Sequence, residues 1–351
     1  MAPRRIAVFR ALMLGDLVCA TPALRALRSG WPEAHITLVG LPWAAEWAAR
    51  LPWVNDFEPF PGWPGLPERE VPAPSVRQAF IETMRSRRLD LAIQLHGAGD
   101  VVNGLVARFG ARHTAGFYRP EAGCPTGDET RFVPWPTEGH EIERLLAVTD
   151  RLGLPRCGLQ PDWPLQPEDR RRARALLPFA GRFAIVHAGS QLPSRRWLPE
   201  RFAAVANRLA EQGLAIVLTG SAGERELTRA VAERIGSGRV VDLAGRTNLW
   251  TLGGLVAEAQ LLVGNDTGLT HIAAALGTPS VVVACGSEVA RWAPLDAARH
   301  PVFWHPLHCR PCGHRCCPTG HECAHAVAME PVAQAALAWV DKEPHHEPSL
   351  G

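Results

Sequence analysis

Between Leu261 and Pro279 the chain reads LLVGNDTGLTHIAAALGTP, an apolar run that meets a Gly-Asn-Asp-Thr-Gly turn and then an alanine-rich helical segment. That order is buried strand, tight turn, helix start. Asp266 or Thr267 can cap the helix, and Gly268 lets a ligand approach the backbone. The first-turn amides carry the positive end of the helix dipole outward, which makes a ready phosphate site. The same residues are equally compatible with a purely structural strand-to-helix turn. His271, one turn further on, either faces a ligand or fills space against a neighbouring strand.

Four other strand ends carry chemistry. Phe9-Arg10-Ala11-Leu12-Met13-Leu14-Gly15-Asp16 puts a carboxylate after a glycine at a helix start. Asp16 is either an N-cap or a general base, because the positive end of a helix favours the ionised form that takes a proton from a hydroxyl. His187-Ala188-Gly189-Ser190 is followed by Pro193-Ser194-Arg195-Arg196-Trp197-Leu198-Pro199. Ser190 can donate to a phosphate oxygen, and Arg195 or Arg196 can neutralise a diphosphate, unless the pair is simply solvated. Trp197 reads as a packing anchor. Thr219-Gly220-Ser221-Ala222-Gly223-Glu224 ends another strand; Glu224 either accepts from ribose hydroxyls or favours the helix start. Leu243 closes a short strand and is expected to flank a nucleotide base.

Of nine cysteines, five crowd into Cys309, Cys312, Cys316, Cys317 and Cys323, interleaved with histidines. Thiolates at short spacing suit zinc or an iron–sulfur centre. The spacing is not the paired C-x-x-C of a zinc ribbon, so a structural metal on Cys309, Cys312, Cys316 and Cys323, a disulfide and free thiols all stay open.

These residues need a frame to bring them together. Strands are expected at 5–9, 35–39, 90–95 and 113–117, with helices at 16–27, 97–109 and 138–152. Residues 59–74, rich in Pro and Gly, read as a loop. Residues 153–167 hold four prolines and no periodicity. The alternation then restarts, with strands at 183–187, 214–219, 240–243, 261–263 and 280–284 and helices at 199–211, 223–235 and 248–258. Strands alternating with helices of this length imply parallel sheets with right-handed crossovers. The expected division is a Rossmann-like domain over 1–155, a linker over 156–168, a second Rossmann-like domain over 169–330, and a C-terminal helix with a mobile tail over 331–351.

The totals agree with that frame. At 351 residues two domains are the default, and 46% hydrophobic with 21% charged residues fits a globular protein. A net charge of +2, with Arg85-Ser86-Arg87-Arg88 as a local basic patch, gives no reason to expect nucleic acid as a partner. The apolar stretch Ile6–Val18 is interrupted by Arg10 and Asp16, so it does not read as a signal peptide, and a cytoplasmic setting is expected. Lys342 is the single lysine, so cationic roles elsewhere fall to Arg or His.

In this order the motifs resemble those of glycosyltransferase family 9, the ADP-heptose:lipopolysaccharide heptosyltransferases. The resemblance rests on L-G-D and A-T-P-A-L at 14–16 and 20–24, H-A-G-S and R-R-W-L-P within 187–199, T-G-S-A-G-E at 219–224, and N-D-T-G-L-T-H-I-A-A-A-L-G-T-P at 265–279. It implies a GT-B fold, two Rossmann-like domains facing an interdomain cleft, with the terminal helix packed back on the first domain. It implies inversion at the anomeric carbon without a required metal or cofactor. Asp16 falls on the family's catalytic base, Asp266, Thr267 and Gly268 on its phosphate-binding turn, Ser190 on its phosphate-binding hydroxyl and Glu224 on its ribose-binding carboxylate. The implied partners are a nucleotide-sugar donor and an anionic glycolipid acceptor at the inner membrane. Arg195 stands where the family often has Lys, which keeps the charge and changes a point donor into a planar fork. A family relative using another nucleotide sugar and a nucleotide-sugar epimerase are the alternatives.

Overall fold

The computed structural model describes residues 2–236 and 238–342. It divides into two compact units, Met1–Pro164 and Leu165–Gly351. The division falls inside the segment expected as a linker.

The first unit is built on a six-stranded parallel sheet: β1 (Arg5–Phe9), β2 (His35–Gly40), β3 (Asp56–Pro59), β4 (Leu91–Gln94), β5 (His113–Tyr118) and β6 (Phe132–Pro134), in the order β3-β2-β1-β4-β5-β6. β1 and β4 are buried from their second and first residues onward, as expected of central strands covered on both faces. The second unit repeats the plan with β7 (Phe183–His187), β8 (Ala215–Leu218), β9 (Val240–Asp242), β10 (Leu261–Asn265), β11 (Ser280–Val283) and β12 (Val302–Phe303), in the order β12-β11-β10-β7-β8-β9. The α/β class and the pair of parallel units expected from the sequence are those observed.

In each sheet the chain winds outward in one direction through three strands, then returns to the middle and winds outward the other way. The winding direction therefore reverses between β1 and β4 in the first unit and between β7 and β10 in the second. Ligands of open α/β sheets bind beyond the carboxyl ends of the strands at such a reversal. The residues that follow those four strands are therefore the ones to inspect.

Two elements differ from expectation. The helix expected over 16–27 is two helices, Leu14–Val18 and Thr21–Gly30, joined by Cys19 and Ala20. Pro22 in the first turn of the second one has no N–H to continue the first. A helix, Pro167–Ala175, occupies the end of the expected linker and packs on helix Leu249–Glu258. Helix Met329–Leu337 packs within the second unit on helix Pro199–Glu211 and on β11. Gln260 Nε2 fixes its end by donating to the carbonyls of Trp339 and Lys342 at 2.8 and 2.7 Å. The reason is apolar: Val332, Ala333 and Ala336 join the second unit's core around Trp197 and Phe202. The tail expected beyond it, from Glu343, lies outside the described residues.

Candidate active site

At the reversal of the first sheet, Arg10 follows β1 directly and is 1% exposed. Its Nε donates to the Asp16 carbonyl at 2.7 Å, its Nη1 to the Leu95 carbonyl, and its Nη2 to Glu141 Oε1 at 3.0 Å. The same Nη2 stands 3.6 Å from Asp16 Oδ1. Asp16 is not the helix cap, because Met13 occupies that position and Asp16 lies within the first turn. Its side chain is 20% exposed, against 1% for Arg10 and 3% for Glu141. The Asp16 carboxylate is thus fixed by a buried guanidinium while part of its side chain stays exposed. His96, just beyond β4, accepts from the Ala11 amide through Nδ1 at 3.2 Å and places Nε2 3.3 Å from Glu68 Oε1.

At the reversal of the second sheet, β10 ends in Asn265, which is fully buried. Its Oδ1 accepts from the Trp197 amide at 2.8 Å, and its Nδ2 donates to the Ala188 and Gly189 carbonyls at 2.8 and 3.2 Å. One side chain thus ties together the turn after β7, the arginine loop and the turn after β10. Helix Gly268–Leu276 starts immediately, with Thr267 as its N-cap, but no side chain caps it. Thr267 Oγ1 is buried without a hydrogen-bond partner among the described residues. An uncapped helix start of this kind leaves amide donors for an anion.

Around it, Arg196 gives Nε and Nη2 to the Ser190 carbonyl at 3.0 and 2.8 Å and sets Nη2 3.4 Å from Glu224 Oε1. Glu224 accepts from the amide and hydroxyl of Ser221, both at 2.8 Å. Burial works to raise the Glu224 carboxyl, but the Ser221 hydrogen bonds and the Arg196 charge outweigh it and hold it below the usual carboxylate range. Gly189 is required beneath this carboxylate, since a Cβ there would lie only 2.3 Å from Glu224 Oε1. His187 is pushed down by burial, so its imidazole is neutral, with Nδ1 3.0 Å from Thr219 Oγ1.

The cysteine-rich segment braces the arginine loop through its backbone. Arg195 donates Nε and Nη2 to the Cys312 carbonyl at 3.2 and 2.7 Å. Ser194 bonds the His314 carbonyl through Oγ and the Arg315 carbonyl through its amide, and His321 Nε2 lies 2.9 Å from the Ser194 carbonyl. Among the described residues no three His, Cys, Asp or Glu side chains come together as ligands. Cys309 and Cys316 are exposed, whereas Cys312 and Cys323 are buried. Cys323 lies beside Cys285, whose thiol donates to it and holds it down to about 6.

A family description, Glycosyltransferase family 9 (heptosyltransferase), matches residues 77–322. The chain belongs to this family. It is 27% identical over 296 residues to lipopolysaccharide heptosyltransferase 2 of Escherichia coli (strain K12), covering 80% of this chain and 82% of that protein. The fold is that of the family 9 glycosyltransferase from Veillonella parvula DSM 2008, with TM-score 0.80, 21% identity and coverage of 96% and 97% of the two chains. The ADP-heptose lipopolysaccharide heptosyltransferase II of E. coli superposes with TM-score 0.73 at 22% identity, covering 96% and 98%. The chain is therefore a glycosyltransferase of the heptosyltransferase family.

The structure brings Ser190, Arg196 and Glu224 into one network, places Thr267 and Gly268 at an uncapped helix start, and sets Arg195 on the loop beside them. Asp266 keeps partial exposure there, its amide bonded to the Val283 carbonyl at 3.1 Å. Leu243 is fully buried just beyond β9. His271 is buried, with its ring 6.2 Å from that of Trp292. Sequence reasoning missed Arg10, Glu141 and Asn265. A basic residue closing an apolar strand was the one visible signal, at Arg10. It also missed Arg310, whose Nη1 donates to the Ala284 carbonyl at 2.8 Å and which feels the charge of Asp266.

Proposed function

We propose that this chain is an inverting glycosyltransferase that moves a heptose from ADP-heptose to a lipopolysaccharide-core acceptor. The observation that carries the reading is the uncapped helix start at Thr267–Gly268, joined through Asn265 to the arginine loop. A diphosphate is the anion that such a group of amides, hydroxyls and guanidiniums fits. In the proposed reaction Asp16 takes the proton of an acceptor sugar hydroxyl, and the oxygen attacks the anomeric carbon opposite the diphosphate. The bond from that carbon to the diphosphate breaks as the new one forms, which inverts the centre. The charge developing on the leaving ADP is met by the first-turn amides, the Ser190 hydroxyl and Arg195 and Arg196. Glu224, ionised and held by Ser221, receives ribose hydroxyls, and Asp266 lies beside the sugar. With the diphosphate charge met by fixed protein groups, no divalent metal is required.

The acceptor is an anionic glycolipid, and the reaction takes place at the cytoplasmic face of the inner membrane. Among the described residues no helix is long and apolar enough to cross a membrane. The test is calorimetric titration with ADP, UDP, GDP and CMP in the presence of EDTA. Selective binding of ADP supports the reading; selective UDP or GDP binding moves the donor elsewhere; loss of ADP binding on chelation overturns the metal-independent site.

A further inference from the structure

The edge of the first sheet opposite Asp16 carries a cavity of about 930 Å³. Its walls come from the amino ends of the strands: Arg4 and Arg5 at β1, Arg112 before β5, and Arg131 before β6. Arg88 completes a set of five guanidiniums. Among the described residues the carboxylates paired with this set are Asp90, 3.7 Å from Arg112, and Asp128, 2.7 Å from Arg131. Asp90 is also occupied by the amides of Arg4 and Arg5 at 2.9 and 3.0 Å. Five positive charges against two negative ones leave the cavity strongly cationic.

Two features argue against a merely solvated cluster. Helix Pro74–Ser86 ends through Arg87, and Arg88 closes it with φ of +50°. That left-handed position is one where glycine is favoured and a side chain is costly. Here it carries a guanidinium that lines the cavity. Trp31 adds an aromatic wall to the same cavity. Arg5 does donate to the Arg87 carbonyl at 3.3 Å, a helix-end contact, but this uses one donor of one arginine.

We propose that this cavity binds a small, soluble polyanion with two or more closely spaced phosphates, its organic portion lying against Trp31. A volume near 930 Å³ is that of a small-molecule site, and guanidinium forks match phosphate oxygens. The five residues of β1 separate this edge from the Asp16 edge by about 16 Å, so the two sites take different ligands.

The test is calorimetric titration of the full chain with inorganic tripolyphosphate, with ADP at saturation to fill the second-unit site. Binding at one site, unaffected by ADP and weakened at least tenfold in Arg88→Ala/Arg112→Ala, is expected. Arg88→Gly is the second variant: it relieves the backbone strain, so weaker binding with an unchanged or raised Tm separates a lost ligand contact from a damaged fold. No binding, binding abolished by ADP, or equal binding in all variants overturns the proposal. A parallel flotation assay with phosphatidylglycerol vesicles separates the sources of phosphate. Arginine-dependent vesicle binding without tripolyphosphate binding would assign the surface to a membrane and overturn the soluble ligand.

Discussion

Asn265→Ala tests whether the second unit's site is organised as described. The side chain is fully buried and makes three hydrogen bonds, at 2.8, 2.8 and 3.2 Å, to the backbone of Trp197, Ala188 and Gly189. Alanine leaves one amide and two carbonyls without that partner in a dry environment. At about 1–3 kcal/mol for each group stranded, and with partial relaxation, the expected loss is about 3–5 kcal/mol. That is a large share of a domain's stability, so the midpoint of urea unfolding should fall sharply while the slope stays constant. The loop carrying Arg195 and Arg196 is released at the same time, so ADP affinity should drop at least tenfold, about 1.4 kcal/mol. Asn265→Asp is the informative control. It keeps the acceptor for Trp197 but turns an ionised oxygen toward two carbonyls, so its carboxyl is raised and the variant regains stability as pH falls through that value. A loss below about 1 kcal/mol with unchanged ADP binding would refute the role given to Asn265.

Three further outcomes follow from the same geometry. Arg10→Met removes the buried guanidinium that Glu141 and Asp16 share and should cost about 3–5 kcal/mol, whereas Arg10→Met with Glu141→Leu should recover much of it; a double variant no better than the single one contradicts the buried pairing. Gly189→Ala forces the Glu224 carboxylate from its place and should weaken ADP binding about tenfold, and a double-mutant cycle with Glu224→Ala should show the two changes to be non-additive. His300, buried with Nδ1 2.8 Å from Ser280 Oγ, is lowered from 6.5 to about 4 by burial. The unfolded chain takes up that proton first as pH falls, so the contribution is intact above about 6.5 and is lost between 6.5 and 4, by about 3 kcal/mol. His300→Gln should flatten that part of the stability–pH curve relative to the parent chain, and parallel curves for the two proteins would contradict the assignment.

What the sequence made legible was backbone chemistry. The central strands are continuous apolar runs, buried on both faces, so β1, β4, β7, β8, β10 and β11 could be read directly. The edge strands β3 and β6 could not, because Asp-Phe-Glu-Pro and Phe-Val-Pro are short and partly polar. Asp56 and Glu58 of β3 are held by Arg87, at 2.5 and 2.6 Å, a partner far along the chain. Helix Pro167–Ala175 was hidden by its charge; it packs because Gly254 leaves room, where a Cβ would stand 2.4 Å from the Asp169 carbonyl. At the site, Asp16, Thr267 and Gly268 were legible because each belongs to one strand–turn–helix unit. Arg10 with Glu141 and Asn265 with Trp197 were not, since those pairs lie 131 and 68 residues apart. The cysteine spacing left a metal, a disulfide and free thiols open, and it gave no sign that the Cys312 carbonyl holds Arg195, a backbone contact between residues 117 apart.

The central claim is acceptor-dependent sugar transfer with Asp16 as base. The most direct measurement is ADP release from ADP-heptose, with and without a heptose-deficient lipopolysaccharide-core acceptor, for the parent chain and Asp16→Asn. Release that requires the acceptor, falling by two or more orders of magnitude in Asp16→Asn while ADP affinity is retained, is the predicted result. Full turnover by Asp16→Asn, or consumption of the donor with no acceptor present, would contradict it.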